Sequence, residues 1–166
     1  LGYVDLGDMA AAESYLLQAL ELAQTSGERR QVAVTRIRLA HVALQRDDLA
    51  TAKEQLEFAL RTLRQVGDVS WAGYARSLLG EVELVCHNAA AYDHLDLAYR
   101  RHQELGEHDY AAIDLSYLAL AELALGHEER AWDHSQQVVS KAEAEWPGAE
   151  CPPEIYHNHY QIAKAT

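Results

Sequence analysis

Small apolar residues recur along the chain in pairs whose members are seven positions apart. The pairs are Ala12 and Ala19, Ala52 and Ala59, Ala91 and Ala98, and Ala131 and Val138. Residues seven apart lie on one face of an α-helix, and small side chains there let a second helix approach to about 8–10 Å. The pattern therefore predicts four helices, each of which buries a narrow seam against a neighbour.

The seams are evenly spaced, which indicates an internal repeat. The spacing between the first members of successive pairs, Ala12, Ala52, Ala91 and Ala131, is about 40 residues each time. A glycine follows each of the first three helices, and these glycines are Gly27, Gly67 and Gly106. Glycine adopts the left-handed conformation of a helix C-cap without a Cβ penalty. We therefore expect repeats of about 40 residues with two helices each.

Short turns separate the two helices of each repeat. They are Gly7-Asp8, Asp47-Asp48, His87-Asn88 and Gly126-His127, and Asp or Asn there suits the N-cap of the next helix. Because β-branched runs bounded by turn signals are lacking, the chain is predicted to be all-α. The predicted helices are 1–6, 9–26, 28–46, 49–66, 68–86, 89–105, 107–125, 128–145 and 153–165. They make one array over 1–166, with repeats 1–27, 28–67, 68–106 and 107–146, and with 152–166 as the start of a fifth repeat or a capping helix.

The motif residues resemble those of tetratricopeptide repeats. Leu79-Gly80, the turn His87-Asn88, Ala91 and Ala98 follow that pattern. Further matches in the first repeat are Tyr3, Gly7, Asp8, Ala12, Leu16, Ala19 and Leu20. At about 40 residues the repeats are longer than the roughly 34 of that pattern, and in this they are similar to the C-terminal arrays of bacterial signalling ATPases and of regulators of the maltose-activator type. The resemblance implies a right-handed superhelix of stacked antiparallel helix pairs.

The resemblance also implies that the first helix of each repeat lines a concave groove for an extended or helical partner segment. The matching positions are Val34, Ile37, His41, Leu44, Gln45, Tyr74, Ser77, Glu81, Leu84, Ile113, Ser116, Leu120 and Leu123. From these we select His41, Gln45, Tyr74, Ser77, Glu81 and Ser116 as the expected partner-binding residues. The alternative is that several of these positions belong to the core of a tightly wound array.

Two arginines occupy equivalent places on neighbouring first helices. Arg36 and Arg76 are one repeat length apart, so the repeat predicts that they project side by side. Two guanidinium groups arranged in this way could hold a carboxylate or a phosphate. Alternatively they pair with acidic residues of the same surface, because the chain has 26 acidic residues against 14 lysines and arginines.

Composition and motifs restrict the function. The net charge of −12, with no basic stripe, argues against direct binding of nucleic acid. The sequence contains no apolar run long enough to cross a membrane and no leader pattern. Its two cysteines, Cys86 and Cys151, suggest no disulfide framework. We therefore expect a cytoplasmic protein. His87 and His94 recur as His127 and His134, but residues seven apart on a helix do not converge on one metal ion, and we interpret these histidines as surface residues. We find no catalytic motif and no motif for a cofactor.

These observations favour a non-catalytic interaction module of a larger, bacterial regulatory protein. Its partner would be a protein or peptide segment, or other domains of the same chain. The first alternative is a sensor that binds a small effector and regulates a fused ATPase or DNA-binding domain, and the second is a spacer or oligomerisation scaffold. Because Ile155, Tyr156, Tyr160 and Ile162 would form a terminal helix with an uncovered apolar face, a homodimer through exposed terminal helices is a further possibility.

Overall fold

The computed structural model describes the backbone of residues 6–145 and 152–166, and the side chains of residues 9–144 and 152–166. In these ranges every regular element is a helix, as the sequence predicted. The helices are α1 (Leu6–Thr25), α2 (Arg29–Gln45), α3 (Leu49–Val66), α4 (Val69–Val85), α5 (Ala90–Leu105), α6 (His108–Ala124), α7 (Glu128–Glu145) and α8 (Pro153–Ala165). From α2 onward each boundary agrees with its prediction to within one residue, while Trp146 and residues 1–5 and 147–151 lie outside the described backbone.

The predicted break at Gly7-Asp8 is wrong. α1 begins at Leu6 and runs through both residues without a turn. The first turn of a helix tolerates glycine and aspartate because its N–H groups have no partner within the helix. The turn signal at this position is therefore compatible with a helix start as well as with a gap between two helices.

Left-handed residues separate the helices at the intervals that the repeat predicted. Between repeats they are Gly27, Gly67 and Gly106, with φ of 74°, 76° and 71°, and within repeats they are Asp47, His87 and Gly126. Gly67 acts as the C-cap of α3 and donates its N–H to the carbonyl of Leu63. Aspartate caps then start the next helices. The side chain of Asp48 accepts from Thr51 N at 3.1 Å, and that of Asp68 accepts from Trp71 N at 3.1 Å.

The chain forms two compact units, residues 1–75 and 76–166, which divide within α4. In the N-terminal unit α2 packs against both α1 and α3. In the C-terminal unit α6 packs against α5 and α7, and α8 packs against both α6 and α7. Helices that are adjacent in sequence thus pack against each other in each unit. α8 contacts α6 as well as α7.

The small-residue seams are buried in three of the four repeats. Ala52, Ala59, Ala98 and Ala131 have no exposed surface, and Ala91 and Val138 have almost none. The prediction fails in the first repeat, where Ala12 is half-buried and Ala19 is exposed. α1 packs against α2 in the described structure and buries Met9 and Ala23 in place of this seam.

Gly80 marks a close contact between α4 and α5 in the C-terminal unit. A Cβ atom added there would lie 2.5 Å from Cγ and 2.7 Å from Cδ2 of Leu95, which is fully buried on α5. No side chain fits into that distance without displacing Leu95. The Leu79-Gly80 motif of the sequence therefore has a steric basis in the packing of α4 against α5.

Candidate functional site

Two predicted groove residues of the N-terminal unit, His41 and Tyr74, form an aromatic cluster with Trp71, which was not predicted. The hydroxyl of Tyr74 lies 3.2 Å from Nε2 of His41, and the two rings meet edge to face with centroids 5.8 Å apart. Trp71 meets Tyr74 in the same geometry, also at 5.8 Å. All three side chains are half-buried. They come from α2 and α4, the first helices of the second and third repeats.

The surroundings of this aromatic cluster differ along α2. Gln45, one turn beyond His41, is exposed, and Leu44 is half-buried, whereas Val34 and Ile37 are core residues. Burial lowers the pKa of His41, so its imidazole is neutral at pH 7. The cluster therefore presents apolar ring surface with two uncharged polar atoms, the Tyr74 hydroxyl and Nε2 of His41, which are directed at each other.

Ser77 and Ser116, predicted to face a partner, are buried inside the C-terminal unit. Ser77 donates a hydrogen bond to Asp114 Oδ1. Ser116, one repeat later, donates to the carbonyl of Ile113 at 2.8 Å and accepts from Nδ2 of Asn158 at 3.1 Å. The two serines thus occupy equivalent positions and link first helices, α4 to α6 and α6 to α8. Their hydroxyls are used within the unit.

Asp114 is the centre of a buried polar chain that sequence reasoning missed. Its Oδ2 lies 2.6 Å from Nδ1 of His102, and neither residue has exposed surface. Burial raises the pKa of Asp114, while the hydrogen bonds from His102 and Ser77 oppose that rise. His102 and Ser77 bind opposite oxygens of one carboxylate, whereas a nucleophilic serine needs a direct hydrogen bond to the histidine. We therefore interpret this chain as a structural tie between α4, α5 and α6.

Glu81, another predicted groove residue, lies half-buried beside Tyr117 in the C-terminal unit. Burial raises the pKa of Glu81 to about 7, the hydrogen bond with Tyr117 opposes the rise, and the charges of Asp114 and Glu154 add to it. The pKa of Tyr117 is raised as well, chiefly by burial and then by Glu81 and Glu154. Glu81 is thus a carboxyl that takes up and releases its proton near neutral pH.

The two arginines considered for anion contact lie in different compact units. Arg36 Nη1 donates to Oε1 of Gln55 at 2.7 Å, and its guanidinium carbon lies 4.0 Å from the centre of the Phe58 ring. Both partners belong to α3, so the guanidinium of Arg36 is held against its own repeat by a hydrogen bond and a cation–π contact. Arg76 is half-buried on α4.

The interpretation of the recurring histidines as surface residues is only half correct. His87 and His127 are exposed, but His94 and His134 are half-buried. Nδ1 of His134 lies 2.9 Å from Oε2 of Glu122, which is almost completely buried on α6. The sequence contained a sign of this buried contact, because Glu122 recurs one repeat length after Glu83. Both glutamates are buried. Among the residues whose side chains are described, no three His, Cys, Asp or Glu side chains converge as a metal site would require.

No protein-family model and no curated protein matches this chain. None of the helices in the described part of the chain has both the length and the apolar character needed to cross a membrane. The fold therefore defines a broad class: in its described part the chain is an all-helical protein built of repeated packed helix pairs.

Proposed function

We propose that the chain is a tetratricopeptide-like interaction module that binds a peptide or helical segment of a partner protein on the faces of its first helices. In this proposal the packed pairs continue as a right-handed superhelix, and the module belongs to a larger regulatory protein. The recurrence of the same packing supports the architecture, because helices of successive repeats use the same seam positions, Ala52, Ala91 and Ala131, and the same left-handed turns.

The observation that carries the binding proposal is the half-buried aromatic cluster of His41, Trp71 and Tyr74. Aromatic side chains with a polar atom are the residues most enriched where proteins bind each other, because they bury a large apolar area and still pair a donor or acceptor. The cluster carries no charge at pH 7, since burial keeps His41 neutral. This surface matches a partner segment that has an apolar anchor side chain. Backbone groups beside that side chain would form hydrogen bonds with Gln45.

A peptide-display selection on the 166-residue chain tests this proposal directly. Selected peptides are labelled, and their dissociation constants are measured by fluorescence anisotropy for the wild type and for His41→Ala/Tyr74→Ala. We expect wild-type binding in the roughly micromolar range and a loss of at least about tenfold in the double variant, as for an interface hot spot.

The matched control is Tyr15→Ala, which removes an exposed tyrosine from α1 of the same compact unit. Its affinity should equal that of the wild type within about twofold, a change too small to count as a hot spot. Circular dichroism establishes that the double variant is folded, and Tyr74→Phe, which keeps the ring, provides a second variant with little risk to the fold. Equal binding of the selected peptides to the wild type and the folded double variant would contradict the proposal.

A further inference from the structure

An open cavity of about 460 Å³ lies in the N-terminal unit, where the end of α1, the start of α2 and the second half of α3 come together. Its volume falls in the range of about 300–1,000 Å³ that is typical of small-molecule sites. Ala23 and Val32, both buried, and the half-buried Phe58 supply apolar lining. None of the predicted groove residues lines it, so this cavity is separate from the aromatic cluster.

The charged residues that the structure places in the lining of the cavity are both arginines. Arg29 and Arg61 line it, and among the residues whose side chains are described no aspartate or glutamate does, although the whole chain has a net charge of −12. Arg29 is hydrogen-bonded to the amide oxygen of Gln65, a neutral group. The acidic neighbour of Arg61 is Glu57, 3.8 Å away on the exposed face of α3. Such an exposed contact compensates little of the guanidinium charge, so the cavity has the electrostatics of an anion site.

Thr62 supplies a hydroxyl group to the lining of the cavity. Its side chain is largely buried, with 8% of its surface exposed. A ligand oxygen in the cavity would accept a hydrogen bond from this hydroxyl.

We infer that this cavity binds a carboxylate that is attached to an apolar or aromatic group. Guanidinium groups pair with carboxylates through charge-assisted, often bidentate hydrogen bonds, and Arg29 and Arg61 are available for this. Ala23, Val32 and Phe58 accommodate the apolar part of the ligand. Inorganic phosphate fits less well, because its remaining oxygens would be desolvated against these side chains without partners.

Isothermal titration calorimetry of the whole chain with N-acetyl-L-phenylalanine tests the inference, and the uncharged N-acetyl-L-phenylalanine amide is the matched ligand. We expect saturable binding of the acid at millimolar or lower concentration, and an affinity for the amide that is weaker by at least about tenfold, the cost of losing a charged hydrogen-bond partner. Absence of saturable binding of the acid, or equal binding of acid and amide, would overturn the inference.

A tetrapeptide that ends in phenylalanine with a free carboxylate distinguishes the two sources of this chemistry. Binding that is at least about tenfold tighter than that of the N-acetyl amino acid indicates the C-terminus of a polypeptide, since the additional residues then add contacts. Equal or weaker binding of the peptide indicates a small organic acid. Both results support the carboxylate site, provided that the acid binds more tightly than the amide.

Single-charge variants localise the binding. Arg29→Gln and Arg61→Gln should each weaken binding of the acid about tenfold, and Thr62→Val should weaken it less, because a neutral hydrogen bond contributes less than a charged one. Arg64→Gln is the control, since Arg64 is an exposed arginine on α3 that does not line the cavity. A loss with Arg64→Gln as large as with the other two arginine variants would show general attraction to positive charge and would overturn the site.

The double variant His41→Ala/Tyr74→Ala should leave binding of the acid unchanged. The proposals for the aromatic cluster and for the cavity can therefore fail separately.

Discussion

Nδ1 of His102 lies 2.6 Å from the carboxylate of Asp114, and both side chains are completely buried in the C-terminal unit. Because Ser77 binds the other carboxylate oxygen, one side chain on α6 holds residues of both α4 and α5. Buried polar chains of this kind are costly when a member is missing, since the remaining groups lose their partners in a medium without water. This relationship makes Asp114 a position where a small change should have a large effect.

Asp114→Ala should lower the free energy of unfolding by about 3 kcal/mol, because it leaves His102 and Ser77 buried without their acceptor. Urea denaturation followed by circular dichroism measures the change. Glu104→Ala is the surface control: Glu104 is exposed and pairs with the equally exposed Arg101, so its loss should cost less than about 0.5 kcal/mol. A cost below about 1 kcal/mol for Asp114→Ala would contradict a structural role for the buried chain.

Glu81 should make the stability depend on pH near neutrality. Its folded-state pKa of about 7 exceeds the ordinary value of 4.5, so between these values the folded protein binds the proton more tightly than the unfolded chain does. The stabilisation is therefore complete below pH 4.5 and is lost as the pH rises through 7. We expect the free energy of unfolding to fall by about 2 kcal/mol across this window, allowing for solvent screening of a half-buried group.

The matched variant for this pH dependence is Glu81→Gln, which resembles the protonated side chain at every pH. The difference in unfolding free energy between wild type and variant, measured at several values from pH 4.5 to 8, isolates the contribution of Glu81 from that of the ionisable groups that both proteins share. The variant should become the more stable of the two above pH 7. A difference that does not change with pH would show that Glu81 ionises as it does in water.

Gly80→Ala should destabilise the protein by about 2 kcal/mol, although alanine is the better helix former by about 1 kcal/mol. The added methyl group would lie 2.5 Å from Cγ of Leu95, so that buried side chain has to move. Thermal or urea unfolding measures the cost. The clash predicts non-additivity: in the double variant Gly80→Ala/Leu95→Ala, the glycine substitution should cost less than it does alone. An additive result would mean that the helices do not meet at this distance.

The helices and turns could be predicted because their determinants are local. Gly67 needs only its own left-handed conformation, and Asp48 needs only the N–H of Thr51 three residues ahead. Ala52 and Ala59 lie on one helix face whatever packs against it. The exception, Gly7-Asp8, shows the limit of such signals, because a glycine and an aspartate are acceptable both in a turn and in the first turn of a helix.

The polar interior could not be predicted in the same way. Whether Ser77 faces a partner or the core depends on the position of Asp114, far along the chain on α6, and Ser116 likewise depends on Asn158. These pairings follow from the register between helices, which the repeat length constrains only loosely. His41 and Tyr74 were assigned to the groove from the resemblance to tetratricopeptide repeats, but their mutual contact was not predicted.

His134 and Glu122 give a final prediction, because the repeat places a second histidine, His127, seven positions earlier where it is exposed. His134→Ala should lower the free energy of unfolding by about 2 kcal/mol, since it removes the histidine that lies 2.9 Å from the buried carboxylate of Glu122 and leaves Arg130, at 3.8 Å, as its ion-pair partner among the described residues. His134→Gln, which retains a side-chain donor, should recover part of this loss. His127→Ala should cost less than about 0.5 kcal/mol, as usual for a surface position. Urea denaturation of the three variants at pH 7 measures these changes. Equal stabilities of His134→Ala and His127→Ala would mean that the contact between His134 and Glu122 contributes no net stability. The recurrence of the histidines would then have no structural cause in this pair.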